Sequence, residues 1–104
     1  MYRLKNGYDV DFGIYYYNKN AIAISVYKDG EPYYVATVFI EDYPYTFGVV
    51  TIKDYSENSG ILNIIKEILN QEIGSARTGF VEVPVYTLKD EFIEMAREKL
   101  NQMK

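Results

Sequence analysis

The sequence predicts an α+β domain, a curled antiparallel sheet of about five strands with two helices on one face, in the order ββββαβα. Three observations carry that expectation. Short runs of alternating, β-branched or aromatic residues, separated by turn residues, fill the chain from Tyr8 to Ile52. The period then changes to that of a helix at Ile61, and a strand-like run and a second helical pattern complete the chain. At 104 residues and 48% apolar content, residues 1–104 suffice for a single domain that buries about two thirds of its unfolded surface.

Each element has its own reason. Tyr8, Val10, Phe12, Ile14 and Tyr16 share one face of a first strand, and Asp9, Asp11 and Gly13 share the other. Asn18, Lys19 and Asn20 suit a tight turn into a second strand, Ala21 to Tyr27, with Ile22, Ile24 and Val26 inward. Asp29-Gly30 is a hairpin dipeptide of the kind that accepts positive φ, and it leads into a third strand over Tyr33 to Ile40, bounded by Pro32. Glu41-Asp42-Tyr43-Pro44-Tyr45 is a loop because Pro44 disfavours helical geometry at Tyr43, and Thr46 to Ile52 is a fourth strand.

Ile61, Leu62, Ile64, Ile65, Ile68 and Leu69 form the apolar face of a helix expected to end near Gln71, with Ser56, Asn58 and Ser59 as N-cap candidates. Gly74 then opens a loop over Ser75 to Gly79, and Phe80 to Leu88 is a fifth strand whose Pro84 assigns it to an edge or a bulge. Phe92, Ile93, Met95, Ala96, Leu100 and Met103 define the second helix, with Asp90 and Glu91 at its positive end and Lys104 at its negative end.

Composition narrows the chemistry. The chain has twelve tyrosines and no histidine, cysteine or tryptophan. It therefore lacks an imidazole that titrates near neutrality, a thiolate nucleophile, and the usual ligands of zinc, copper or haem. The expectation is a non-enzymatic protein with no cofactor and no metal. A reducing cytoplasmic location fits the absence of cysteine and of any signal-peptide or spanning pattern.

Asp9 with Asp11 are two carboxylates without a third oxygen ligand and read as solvent-facing. Gly74-Ser75-Ala76-Arg77-Thr78-Gly79 lacks the lysine of a phosphate loop and feeds a strand, which leaves Arg77 as a guanidinium for a phosphate or a partner carboxylate.

The net charge of −4 is unevenly spread. Asp29 to Glu57 carries Asp29, Glu31, Glu41, Asp42, Asp54 and Glu57 against Lys53 alone, together with Tyr33, Tyr34, Tyr43, Tyr45 and Tyr55. Acidity argues against direct nucleic-acid binding, which needs a basic footprint, and favours a basic protein partner. Tyr15-Tyr16-Tyr17 and Tyr33-Tyr34 must each send a ring away from the core if they lie in strands. Such rings serve either as a protein-binding face or as ordinary cross-strand pairs on a wet sheet.

Ala21-Ile22-Ala23-Ile24 leading into Asp29-Gly30-Glu31-Pro32-Tyr33, then Tyr55-Ser56-Glu57-Asn58, then Thr78-Gly79-Phe80 with Pro84-Val85-Tyr86, form a recognisable set. Over roughly Phe12 to Leu88 the chain resembles a family of short domains, without an assigned activity, carried by phages, plasmids and integrative elements of Firmicutes and Bacteroidetes. That family's pattern has tryptophan where this chain has Tyr55. Its nearest functional class is similar to type II-A anti-CRISPR proteins, which bind Cas9.

The resemblance implies a stoichiometric inhibitor of a bacterial host's defence nuclease. Glu41, Asp42, Asp54 and Glu57 would occupy a basic groove for guide RNA or DNA, and Tyr43, Tyr45 and Tyr55 would anchor it. Arg77 completes the candidate contact set. The alternative is an interaction module of the mobile element, homodimeric through an edge strand such as the one with Pro84.

Overall fold

A computed structural model describes residues 1–54 and 60–103. It contains seven strands and two helices rather than five strands and two helices. β1 (Tyr2–Arg3), β2 (Asp9–Ile14), β3 (Ile22–Lys28) and β4 (Glu31–Val35) form one antiparallel sheet in that order. β5 (Val49–Thr51), β6 (Leu69–Thr78) and β7 (Val81–Leu88) form a second, in the order β5-β7-β6. α1 (Ile61–Ile65) runs into a single 3-10 turn at Lys66–Ile68, and α2 (Asp90–Gln102) closes the described chain. The α+β class holds, and no helix among the described residues is long and apolar enough to cross a membrane.

The two sheets meet where the chain leaves β4. Ala36 N donates to Ile24 O at 2.8 Å on one side, and Lys53 N donates to Ala36 O at 2.7 Å on the other. Two residues on, Val38 N donates to Thr51 O at 3.1 Å, and Thr37 bridges Ile52. The predicted third strand therefore stops at Val35, because residues 36–38 exchange β3 for β5 as their partner. Buried Thr37 eases the exchange: its hydroxyl accepts Ile24 N at 3.2 Å, replacing the carbonyl that a continuing strand would offer.

Alternation sets what each strand buries. Val10 and Phe12 of β2 and Ile22, Ile24 and Val26 of β3 point into one core with Ile61, Ile65 and Ile68 from the α1 region and Phe92 and Ala96 from α2. Phe92 meets Tyr2 edge-on at 5.0 Å and Phe12 at 6.0 Å. On β7, Tyr86 and Leu88 face this core, whereas Val83 and Val85 face the other way, toward Val38, Ile40 and Tyr43. The small sheet thus has a helical side and a loop side.

The hairpin at Asp29-Gly30 forms as expected, with φ of 53° and 81° at its two central residues. Gly48 has φ 102°, and a Cβ there would lie 2.8 Å from the Ile93 side chain, so glycine is required where the chain enters β5 against α2.

Several expectations are corrected. The helix near Ile61 does not reach Gln71, and Ser75 to Thr78 is not a loop: Leu69–Thr78 is one ten-residue strand. It pairs with β7 through two bulges, at Leu69/Gln71 and Glu72/Gly74. Its polar sequence, exposed from Asn70 to Ser75, has no apolar alternation to betray it.

Of the edge and the bulge expected at Pro84, the edge is corrected, because β7 lies between β5 and β6, whereas a bulge does fall next to it, at Glu72/Gly74 opposite Tyr86 and Val85. The Pro84 carbonyl accepts Ile52 N at 3.0 Å, just beyond β5. The Ile52 carbonyl, facing the donor that proline lacks, takes Asp54 N at 2.8 Å instead.

Near the N-terminus, β1 and buried Leu4 were not foreseen. Asp9 is buried beside Arg3 rather than solvent-facing, with Arg3 Nε at 2.7 Å from its carboxylate. Asp11 lies 3.7 Å from Lys99 Nζ. No group of metal-ligating side chains stands together among the described residues. The N-cap candidates Ser56, Asn58 and Ser59, and the C-terminal Lys104, lie outside them.

Candidate functional site: an aromatic and acidic loop end

A cluster of exposed aromatic rings lies at the turn that joins β2 to β3, where it meets the segment from Phe39 to Tyr45. β2 ends at Ile14, so Tyr15, Tyr16 and Tyr17 lie in a loop rather than in the strand that the sequence pattern suggests. Tyr15 N donates to Ala21 O at 2.9 Å, and Ala21 N donates to Asn18 O at 2.9 Å, which closes the loop on itself. Asn18 Oδ1 also accepts Asn20 N at 2.9 Å. Tyr15 turns inward and its hydroxyl meets Thr37 Oγ1 at 3.0 Å. Burial, set against that hydrogen bond, raises its phenol pKa above the ordinary tyrosine value. Tyr16 and Tyr17 turn outward, each 83% exposed, and pack edge to face at 5.3 Å.

The second segment is fastened from beneath by Tyr45. Ile40 N donates to the Tyr45 hydroxyl at 3.0 Å. That hydroxyl lies 2.9 Å from Thr51 Oγ1, and Thr51 in turn donates to Val38 O. The hydrogens order as one chain from Ile40 N–H through Tyr45 and Thr51 to the Val38 carbonyl. Above this tie, Phe39 stacks on Tyr45 at 5.8 Å with ring planes 12° apart, and touches Tyr15 at 5.1 Å and Tyr17 at 6.5 Å. Tyr43 packs edge-on to Tyr45 at 4.9 Å. Tyr17, Asn18, Phe39 and Glu41 line a solvent-open recess of about 570 Å³.

The sequence-derived contact residues do not form one patch. Glu41, which lines the recess, and Asp42, next in the chain, are exposed, with Tyr43 half-buried after them. Tyr45 is 6% exposed. It supports this surface from below and is not an anchor that a partner can reach. Asp54 is elsewhere: it acts electrostatically on Tyr86, on the helical side of β7, whereas Ile40 and Tyr43 lie on the Val83 and Val85 side.

One Asp54 oxygen, Oδ1, is buried with no hydrogen-bond partner among the described residues, and desolvation raises its carboxyl pKa. Arg77 is on β6, where it pairs with Glu82 at 3.7 Å, on the face opposite buried Ala76. Tyr55 and Glu57 lie outside the described residues.

Phe39 and Asn18 were not among the expected contact residues. No local sequence signal marks them, because the recess arises from a long-range meeting of two loops. Fully exposed Phe80, at the two-residue turn between β6 and β7, is a separate aromatic tip. No protein-family model matches the chain, and no match is found among curated proteins or solved structures.

Proposed function

We propose that this chain is a non-enzymatic protein-binding inhibitor of a bacterial host's defence nuclease. Cas9 is the proposed target, and the chain occupies a guide-RNA or DNA binding surface on it in the host cytoplasm. The observation that carries the reading is the coincidence of two outward tyrosines, Tyr16 and Tyr17, with exposed Glu41 and Asp42 at one end of the molecule. Tyrosine is a frequent energetic anchor at protein interfaces, and carboxylates around it select a basic surface such as a nucleic-acid groove. The choice of Cas9 rests on the resemblance to mobile-element domains. The absence of histidine and cysteine supports inhibition by occupancy rather than by chemistry.

The test is target-DNA cleavage by Cas9 with the purified chain added before or after guide RNA. Inhibition only on early addition assigns the block to guide loading, and inhibition in both orders assigns it to DNA binding. Full cleavage in both orders, at several-fold molar excess and across several Cas9 orthologues, refutes the proposal.

A second reading, a homodimeric module of the mobile element, is favoured by the exposed edge of β6, a ten-residue strand at the border of its sheet. A mass that doubles with concentration, with no effect on any nuclease, supports that alternative.

A further inference from the structure

We infer that the recess between Tyr17 and Phe39 is a guanidinium seat, which takes the side chain of an arginine presented by a basic protein partner. The inference rests on the reading above that this end of the molecule is the contact surface. Its chemistry favours arginine over lysine. The lining combines two aromatic rings, one amide and one carboxylate, from Tyr17, Phe39, Asn18 and Glu41. A guanidinium is planar, stacks on aromatic faces and presents forked donors to a carboxylate; an ammonium is compact, strongly hydrated and does not stack.

Geometry agrees with this chemistry. The Tyr17 and Phe39 centroids are 6.5 Å apart with planes 37° from parallel. A cation placed between the two rings is within the roughly 6 Å range of both. The volume of about 570 Å³ is within the range of about 300–1,000 Å³ common for small-ligand sites, with room for residues flanking the arginine.

One wall of the seat, the Phe39 side, is built in advance. Phe39 is clamped between Tyr15 and Tyr45, and the Tyr45 hydroxyl is fixed by Ile40 and Thr51. A wall held this way loses little side-chain entropy on binding.

The rest of the surface supplies the contrast. Lys28 stands 5.3 Å from the Tyr8 ring centre, Lys53 5.4 Å from that of Tyr34, and Arg97 5.1 Å from that of Phe47. Among the described residues, no cation of the chain stands over Tyr16, Tyr17 or Phe39, and Glu41 forms no ion pair. Among the described residues, this outward aromatic cluster beside an unpaired carboxylate is left for a cation from elsewhere.

The experiment is an NMR titration of the full chain with three capped tripeptides, glycine-X-glycine with X as arginine, lysine or citrulline. The arginine peptide is expected to shift signals of Tyr17, Asn18, Phe39 and Glu41 saturably. Citrulline, equal in shape but uncharged, is expected to bind about tenfold more weakly, as is arginine to the Glu41→Gln variant. Glu41 is exposed, so that variant keeps the fold. Equal shifts from lysine or citrulline, shifts on another face, or none into the tens of millimolar overturn the inference. Inhibition of Cas9 without arginine shifts overturns this inference alone, and arginine binding without inhibition overturns the nuclease reading alone.

Discussion

Replacing Tyr45 with phenylalanine removes one oxygen from the tie beneath the candidate surface while leaving the stacked ring in place. The hydroxyl accepts Ile40 N at 3.0 Å and lies 2.9 Å from Thr51 Oγ1, in a residue only 6% exposed. Its loss leaves the Ile40 N–H without this acceptor and Thr51 Oγ1 without its incoming donor. A buried polar group left unsatisfied costs about 1–3 kcal/mol. Thr51 still donates to Val38 O, so one orphaned donor dominates and the expected loss is about 2 kcal/mol. For a domain near this size, that is a fall in Tm of about 8–16 °C.

Thermal unfolding followed by circular dichroism reads the change, with Tyr43→Phe as the control. Tyr43 packs edge-on against the same ring but is half-buried, and its change is expected to stay within about 0.5 kcal/mol. If Tyr45→Phe unfolds within a degree of the parent and no lower than Tyr43→Phe, the hydroxyl chain is not what holds residues 38–45, and the account of a preformed surface fails.

Further consequences concern the core and two titrating groups. Phe92→Ala empties the contact with Tyr2 and Phe12 and is expected to cost about 3–5 kcal/mol, read by urea unfolding with an unchanged m-value. Asp54 has a folded-state carboxyl pKa raised above the ordinary 3.8 by desolvation. The folded state then binds its proton more tightly than the unfolded state, and stability from this group falls as pH rises through the interval between the two values. Asp54→Asn should therefore raise Tm relative to the parent at pH 7 and lose that advantage below pH 3.8. Tyr15, raised above 10.0 by burial, behaves as a neutral acid held protonated. Its contribution is present below pH 10.0 and is lost as pH rises through the folded value, so the Tm gap between parent and Tyr15→Phe should narrow in alkali.

The parts of the fold legible in the sequence are those whose cause is local. Asp29-Gly30 names its hairpin because few dipeptides accept positive φ twice, and Ile22, Ile24 and Val26 name β3 by strict alternation. Phe92 and Ala96 mark the buried stripe of α2 in the same way. β6 was hidden because an edge strand exposed on both faces from Asn70 to Ser75 has no apolar period there, and the helical run before it ends in Leu69, its own first residue. Pro84 signals the irregular ladder but not its place in the sheet, because the edge rule concerns the missing donor, and the shortness of β5 removes that need even in a central strand.

In the candidate site, the exposure of Glu41 and Asp42 follows from their charge and the neighbouring proline. The inward turn of Tyr45 depends on Thr51 and Ile40, and the recess on two loops about twenty residues apart in sequence. Neither fact is written in any short window.

The central claim is that the Tyr16, Tyr17, Glu41 and Asp42 end is the surface that disarms a nuclease. It is tested most directly by titrating the parent and the Glu41→Lys/Asp42→Lys variant into the same Cas9 cleavage reaction, after confirming equal Tm. The account predicts stoichiometric inhibition by the parent and intact cleavage with the variant. Equal inhibition by both places the contact on another face, and cleavage untouched by either contradicts the function proposed.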